Sequence, residues 1–220
     1  MSRRDSPPPP PPPPAHLRTW PDRAALLADR SLAMGELNDR LLGGKRLTLF
    51  LLMLAALHVG WAFVGGGLVS LDGVVDVFSV LFVAIGVCAG LSVMVPAVFV
   101  VARGVRQDRR LREVFARWAV LDRSPAHDAR LRAPGMSLVW LLLSFLLCAL
   151  GLWISFTVPA SARPGETGYG EVTYFMGAGL IFWIVGLIGV TKAVGHYRLV
   201  IRLLPPVPSA TAAPRGDAAR

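Results

Sequence analysis

The sequence predicts an all-α integral membrane protein, a four-helix transmembrane bundle carrying cytoplasmic amphipathic helices, and three observations predict it. First, 54% of the 220 residues are hydrophobic and only 17% charged, with a mean hydropathy of +0.54, which is too apolar for an ordinary water-facing surface. Second, the apolar residues fall into four long runs almost without charge, near 47–64, 74–102, 136–158 and 172–194. Third, the basic residues gather at the N-terminal end, between 103 and 132, and after 192, so that charge is segregated as a bilayer requires.

The net charge of +9 and a pI near 10.9 would suggest nucleic acid binding in a soluble protein. Here the positive charge flanks apolar runs, where it fixes topology and meets anionic lipid head groups, so no nucleic acid partner is expected. Lysine occurs only at Lys45 and Lys192 and asparagine only at Asn38, a usage typical of G+C-rich coding that points to a bacterial inner (cell) membrane. Cys88 and Cys148 lie inside apolar runs, which suits packing better than a disulfide. The first apolar run starts near Leu47 with no small-residue cleavage pattern beyond it, so it is expected to remain as an anchor.

Residues 1–20 are expected to form a disordered proline-rich tail. The unbroken run Pro7 to Pro14 fixes φ and lacks donors, which gives a polyproline extension suited to solvent or to an aromatic-lined groove. Residues 21–46 predict an amphipathic cytoplasmic helix: Pro21 is placed in a first turn, Asp22 follows, and Leu26, Leu27, Ala33, Met34, Leu37 and Leu41 recur at helical spacing until Gly43 and Gly44. That helix would lie on the membrane surface or pair with a partner helix.

Residues 47–102 and 136–195 predict two transmembrane hairpins. Each run meets the length needed to cross about 30 Å of hydrocarbon at about 1.5 Å per residue. The loop from Gly65-Gly66-Gly67 to Gly73 carries Asp72 and no Lys or Arg, and the loop from Pro159 to Glu171 sets one Arg163 against Glu166 and Glu171. The positive-inside rule then puts both termini and the 103–135 segment in the cytoplasm. Trp61, Trp153, Tyr169 and Tyr174 would ring the outer interface, with Trp140 and Tyr197 at the inner one.

In the 103–135 segment Leu111, Val114, Phe115 and Trp118 follow helical spacing, while Arg109, Arg110, Arg112 and Arg117 decorate the rest. The expected arrangement seats Phe115 and Trp118 among head groups with the four arginines facing anionic lipid. Residues 196–220 are expected to form a cytoplasmic tail in which Pro205-Pro206 ends the last helix.

Lipid gives helices no hydrophobic reason to associate, so close packing depends on small residues. Ser79, Gly86, Gly90 and Ala97 in the second span, Ser144, Cys148, Gly151 and Ser155 in the third, and Gly179, Gly186 and Ala193 in the fourth form such faces, which are expected to meet one another.

His58 is the ionisable residue deepest in an apolar run, and Asp76 stands one turn into the second span across the hairpin. Together they suggest a proton-responsive pair near the outer face. The plainer alternative is a neutral His58 bonded to a nearby hydroxyl or carbonyl, with Asp76 favouring a helix N-terminus.

No cofactor or metal is expected. His58 and His196 fall at different depths for a bis-histidine haem, there is no CxxC or HExxH, and Ser124, His127 and Asp128 read as surface residues. The first span also lacks the intramembrane glutamate that small four-helix drug exporters use. The expected function is therefore non-enzymatic: a scaffold, assembly factor or accessory subunit that contacts anionic lipid and a membrane-protein partner or a second copy. The alternative is a small oligomeric transporter or channel built on the His58 and Asp76 region.

Overall fold

The computed structural model describes residues 9–72, 76–122, 135–163 and 166–204, and over these the chain is all-α with no strand. The proposed surface residues Ser124, His127 and Asp128, the Pro205-Pro206 stop and the tail beyond it lie outside the described residues. After a 3-10 turn at Ala15–Leu17 come α1 (Arg23–Leu42), α2 (Gly44–Val69), α3 (Val77–Ala119), α4 (Gly135–Ser161) and α5 (Tyr169–Leu203).

Asp22 starts α1 by accepting the Ala25 amide at 2.7 Å, which places Pro21 just before the cap. Gly43 ends it: the backbone turns extended there while its N–H still donates to the Asp39 carbonyl at 2.8 Å. The next helix starts at once. α2 continues through Gly65-Gly66-Gly67, which the sequence assigned to a loop, because tertiary contact overrides the poor helix propensity of glycine. Gly65 lies against the Tyr174 ring, and a Cβ on Gly67 would sit 3.2 Å from the Val83 Cα.

Asp76 caps α3, which then runs 43 residues without interruption through Pro96 and into the basic segment. At about 1.5 Å per residue it is about 64 Å long, roughly twice the hydrocarbon thickness. α5 begins earlier than the apolar pattern indicated, because Asp72 in the first hairpin caps it from outside. The Asp72 carboxylate accepts the Gly170 amide at 2.9 Å and the Glu171 amide at 3.3 Å, and so ties the two hairpins together.

Four helices are long and apolar enough to cross a membrane, the first being α2 with α1 leading into it; this is the architecture of a multi-pass membrane protein. Only 11% of the most apolar window of α3 is buried inside the protein, so most of its side chains, Phe82 and Phe99 among them, point outward. Close packing runs in the order α3, α2, α5, α4, with α2 and α5 in the middle.

The end opposite the hairpins is built differently. Ala33, Met34, Leu37 and Leu41 of α1 form one buried cluster with Leu111, Phe115 and Trp118 of α3 and Trp140 of α4. This corrects the expectation that Phe115 and Trp118 insert among head groups: they are 0% and 6% exposed and covered by protein. The apolar faces of α1 and α3 cover each other. Trp118 also donates its indole N–H to the Pro10 carbonyl at 3.0 Å, which ties the proline tract to this cluster at Pro10, and Arg18 donates to the Pro13 carbonyl at 3.1 Å within its own segment.

Candidate functional site

The spacing that buries Leu111 and Phe115 of α3 also turns Asp108 and Arg112 inward, since residues three, four and seven apart share a helix face. Lys192 and His196, one turn apart on α5, face them. Lys192 Nζ lies 2.8 Å from Asp108 Oδ2, with the two side chains 15% and 9% exposed. The same ammonium stands 4.8 Å from the centre of the Trp140 ring, and the Trp140 indole N–H is fixed by the Leu42 carbonyl at 3.0 Å. Arg112 Nη2 donates to the Lys192 carbonyl at 3.3 Å, and the His196 ring meets the edge of Phe115 with centres 6.2 Å apart.

This buried constellation joins α3, α4 and α5, and Arg46 of α2 borders it. Among the described residues, Asp108 is the carboxylate that meets Lys192, with the cations of Arg112 and Arg46 close by. His196 lies beyond the apolar run 172–194, and its pKa is pushed down to about 4, first by burial and then by Arg112 and Lys192. It stays neutral at pH 7. Asp108 Oδ1, Arg112 Nε and His196 Nδ1 are each buried without a hydrogen-bond partner among the described residues. Asp108 and Lys192 line an opening of about 60 Å³ between α2 and α3.

The residues singled out from the sequence fall elsewhere. The His58 Nδ1–H donates to the Leu54 carbonyl at 3.0 Å, and the ring lies 4.0 Å from that of Phe182. A carbonyl only accepts, so the proton sits on Nδ1. Asp76 is exposed and accepts the Ser79 amide at 2.8 Å and its hydroxyl at 2.6 Å, which hold the carboxyl below its ordinary range. No hydrogen bond or ion pair joins His58 to Asp76 among the described residues.

The small-residue faces meet in a different pairing from the one expected. Gly86 and Gly90 pack on α2: a Cβ would lie 2.7 Å from the Phe63 carbonyl oxygen at the first and 2.5 Å from that of Gly60 at the second. Ser79 serves the α3 cap, and Ala97 is buried with Leu54 and Leu57 of α2 and with Leu147 and Val185. The face of the third span does meet that of the fourth, since Gly151 opposes Gly179, Gly179 meets Ser155, and Gly186 approaches Ser144 and Cys148. Ala193 belongs to the buried cluster at the basic end. Arg109, Arg110 and Arg117 are exposed, whereas Arg112, expected to face lipid, is turned inward to Lys192; its register with Asp108 and Phe115 forces this.

No protein-family model, curated protein or solved structure matches the chain. Its functional reading therefore rests on its own residues. Sequence reasoning gave Asp108 only a pairing with Arg112 on its own helix rather than with Lys192, and it passed over Arg30, which is 1% exposed and donates to the Trp118 carbonyl at 3.3 Å. Two signals were present: Asp108 occupies an apolar register of α3, and Lys192 is one of two lysines in a chain that otherwise uses arginine. Among the described residues no three His, Cys, Asp or Glu side chains converge in a way that could hold a metal ion.

Proposed function

We infer that this chain is a multi-pass protein of the bacterial inner membrane with both termini in the cytoplasm, acting as a non-enzymatic scaffold, assembly factor or accessory subunit. The observation that carries the reading is a stripe of arginines on α3. Arg103, Arg106, Arg110 and Arg117 are all exposed and follow steps of three, four and seven residues, which at about 100° per residue confine them to an arc of about 60°. The stripe lies away from the face that buries Asp108, Leu111 and Phe115. None of the four is ion-paired or hydrogen-bonded among the described residues.

The stripe spans about 21 Å along the helix axis, while a head-group layer is only about 5–8 Å deep. Arg103 and Arg106 then meet anionic head groups, and Arg110 and Arg117 project beyond them to an acidic surface of a membrane-protein partner. Packing supports a rigid presentation: α1 braces α3 from behind, and α2 anchors it through close contacts at Gly60, Gly67, Gly86 and Gly90.

The test compares affinity purification from cross-linked, solubilised membranes for the wild type and a variant with all four arginines changed to glutamate. The reading expects the variant to reach the membrane at wild-type level while losing a partner that the wild type retains. An identical set of co-purifying proteins contradicts it.

A further inference from the structure

We propose that the opening between α2 and α3 at the basic end binds the head group of an aminophospholipid, the ammonium on Asp108 and the phosphate on Arg46. Asp108 is 7% exposed, and its Oδ1 has no partner although its Oδ2 is held by Lys192 at 2.8 Å. A buried carboxylate oxygen is a strong acceptor, and leaving it empty is costly. Asp108 lines an opening of about 60 Å³, room enough for an aminoethyl group.

The charges around the opening choose among ligands. A bare cation would meet one carboxylate surrounded by Lys192, Arg112 and Arg46, and the positive excess repels it. An anion alone would leave Asp108 Oδ1 unsatisfied. A zwitterion with ammonium and phosphate a few bonds apart matches both signs. Arg46 is placed for the phosphate: its Nε is used by the Arg40 carbonyl at 3.1 Å, while its Nη atoms have no partner among the described residues.

The walls identify the source. Leu49, Met53 and Val101 line the same opening at the end of the apolar stretches of α2 and α3, where an acyl chain continuing from the phosphate would lie. A water-soluble phosphoethanolamine compound would not use them.

This inference rests on the membrane reading above, and the experiment separates the two. The full chain is reconstituted into nanodiscs of phosphatidylethanolamine, phosphatidylcholine and phosphatidylglycerol in equal parts, and lipids retained on release are counted by native mass spectrometry. Phosphatidylcholine carries a methylated ammonium that cannot donate, and phosphatidylglycerol has the phosphate without the amine. Phosphatidylethanolamine should be retained about tenfold over either, the size of one charge-assisted hydrogen bond.

Asp108→Asn should remove the preference. Since that change also touches the ion pair with Lys192, Gly104→Leu provides a second arm: a Cβ there meets only Arg46, at 3.8 Å, so the added side chain fills the opening and leaves the pair intact. Equal retention of the three lipids by the wild type, or an unchanged preference in Gly104→Leu, overturns the proposal. So does displacement of the lipid by an equal concentration of glycerophosphoethanolamine. A chain that enters nanodiscs but shows no preference sinks this inference alone, whereas one that does not enter sinks the membrane reading as well.

Discussion

Replacing Asp108 by alanine removes the carboxylate that holds Lys192 in the buried cluster at the basic end. In the wild type its Oδ2 holds Lys192 Nζ at 2.8 Å, in a place where the two side chains are only 9% and 15% exposed. Without it the ammonium stays buried beside Arg112 and Arg46, with the Trp140 face as its remaining favourable contact. Removing one partner of a buried pair costs about 3–5 kcal/mol, because the other charge is left uncompensated. For a chain of this size each kcal/mol lowers the melting temperature by about 2–4 °C, so Asp108→Ala should melt roughly 10 °C earlier. The assay is thermal unfolding of the purified protein in mild detergent at pH 7.5, followed by tryptophan fluorescence. Asp108→Leu combined with Lys192→Met, which removes both charges and keeps the volume, should recover most of the loss. A single variant that melts within about 2 °C of wild type, or a double variant no better than the single, refutes the claim that this pair holds α3 against α5.

Four further outcomes follow from the packing. At Gly151 an added Cβ would lie 2.5 Å from the Gly179 carbonyl oxygen and 2.6 Å from the Trp183 amide, both backbone atoms that cannot step aside. Gly151→Leu should therefore cost at least about 2 kcal/mol in detergent unfolding; at Gly66 nothing lies within 4 Å, and Gly66→Ala should stabilise by up to about 1 kcal/mol. His196 has a folded pKa of about 4 against an ordinary value of 6.5, so the unfolded chain takes up the proton first: stability is complete above pH 6.5 and falls as the pH drops towards 4. The loss reaches on the order of 3 kcal/mol, visible as a melting-temperature slope that His196→Gln abolishes. Trp118→Phe removes the indole donor to Pro10, worth about 1 kcal/mol, and trypsin cleavage at Arg18 should quicken by about fivefold; an unchanged cleavage rate would mean that this bond does not hold the tract.

The four apolar runs were legible because desolvation acts locally and along a fixed length, so composition and spacing report it directly. Helix ends were less so. Gly65-Gly66-Gly67 reads as a breaker by propensity, and the Tyr174 and Val83 contacts that keep it helical come from other segments. The apolar faces of Met34 and Leu37 on α1 and of Leu111 and Phe115 on α3 were visible, but an apolar face does not say whether lipid or protein will cover it. Here each covers the other. His58 and Asp76 drew attention because a short hairpin separates them in sequence. The structure gives His58 to a carbonyl of its own helix and Asp76 to a cap, while Asp108 and Lys192, far apart in sequence, form the buried pair. Complementary charges on different helices carry no mark in a single sequence that pairs them.

Site-directed labelling measures most directly whether the apolar helices span a bilayer with the arginines inside. In a background with Cys88 and Cys148 replaced by alanine, single cysteines are placed at Glu166, in the exposed turn before α5, and at Arg117, exposed on α3. A membrane-impermeant maleimide added to intact cells should modify position 166 and leave position 117 untouched until the cells are opened, with the protein resisting carbonate extraction. Modification at 117 in intact cells, or release of the chain by carbonate, contradicts the account.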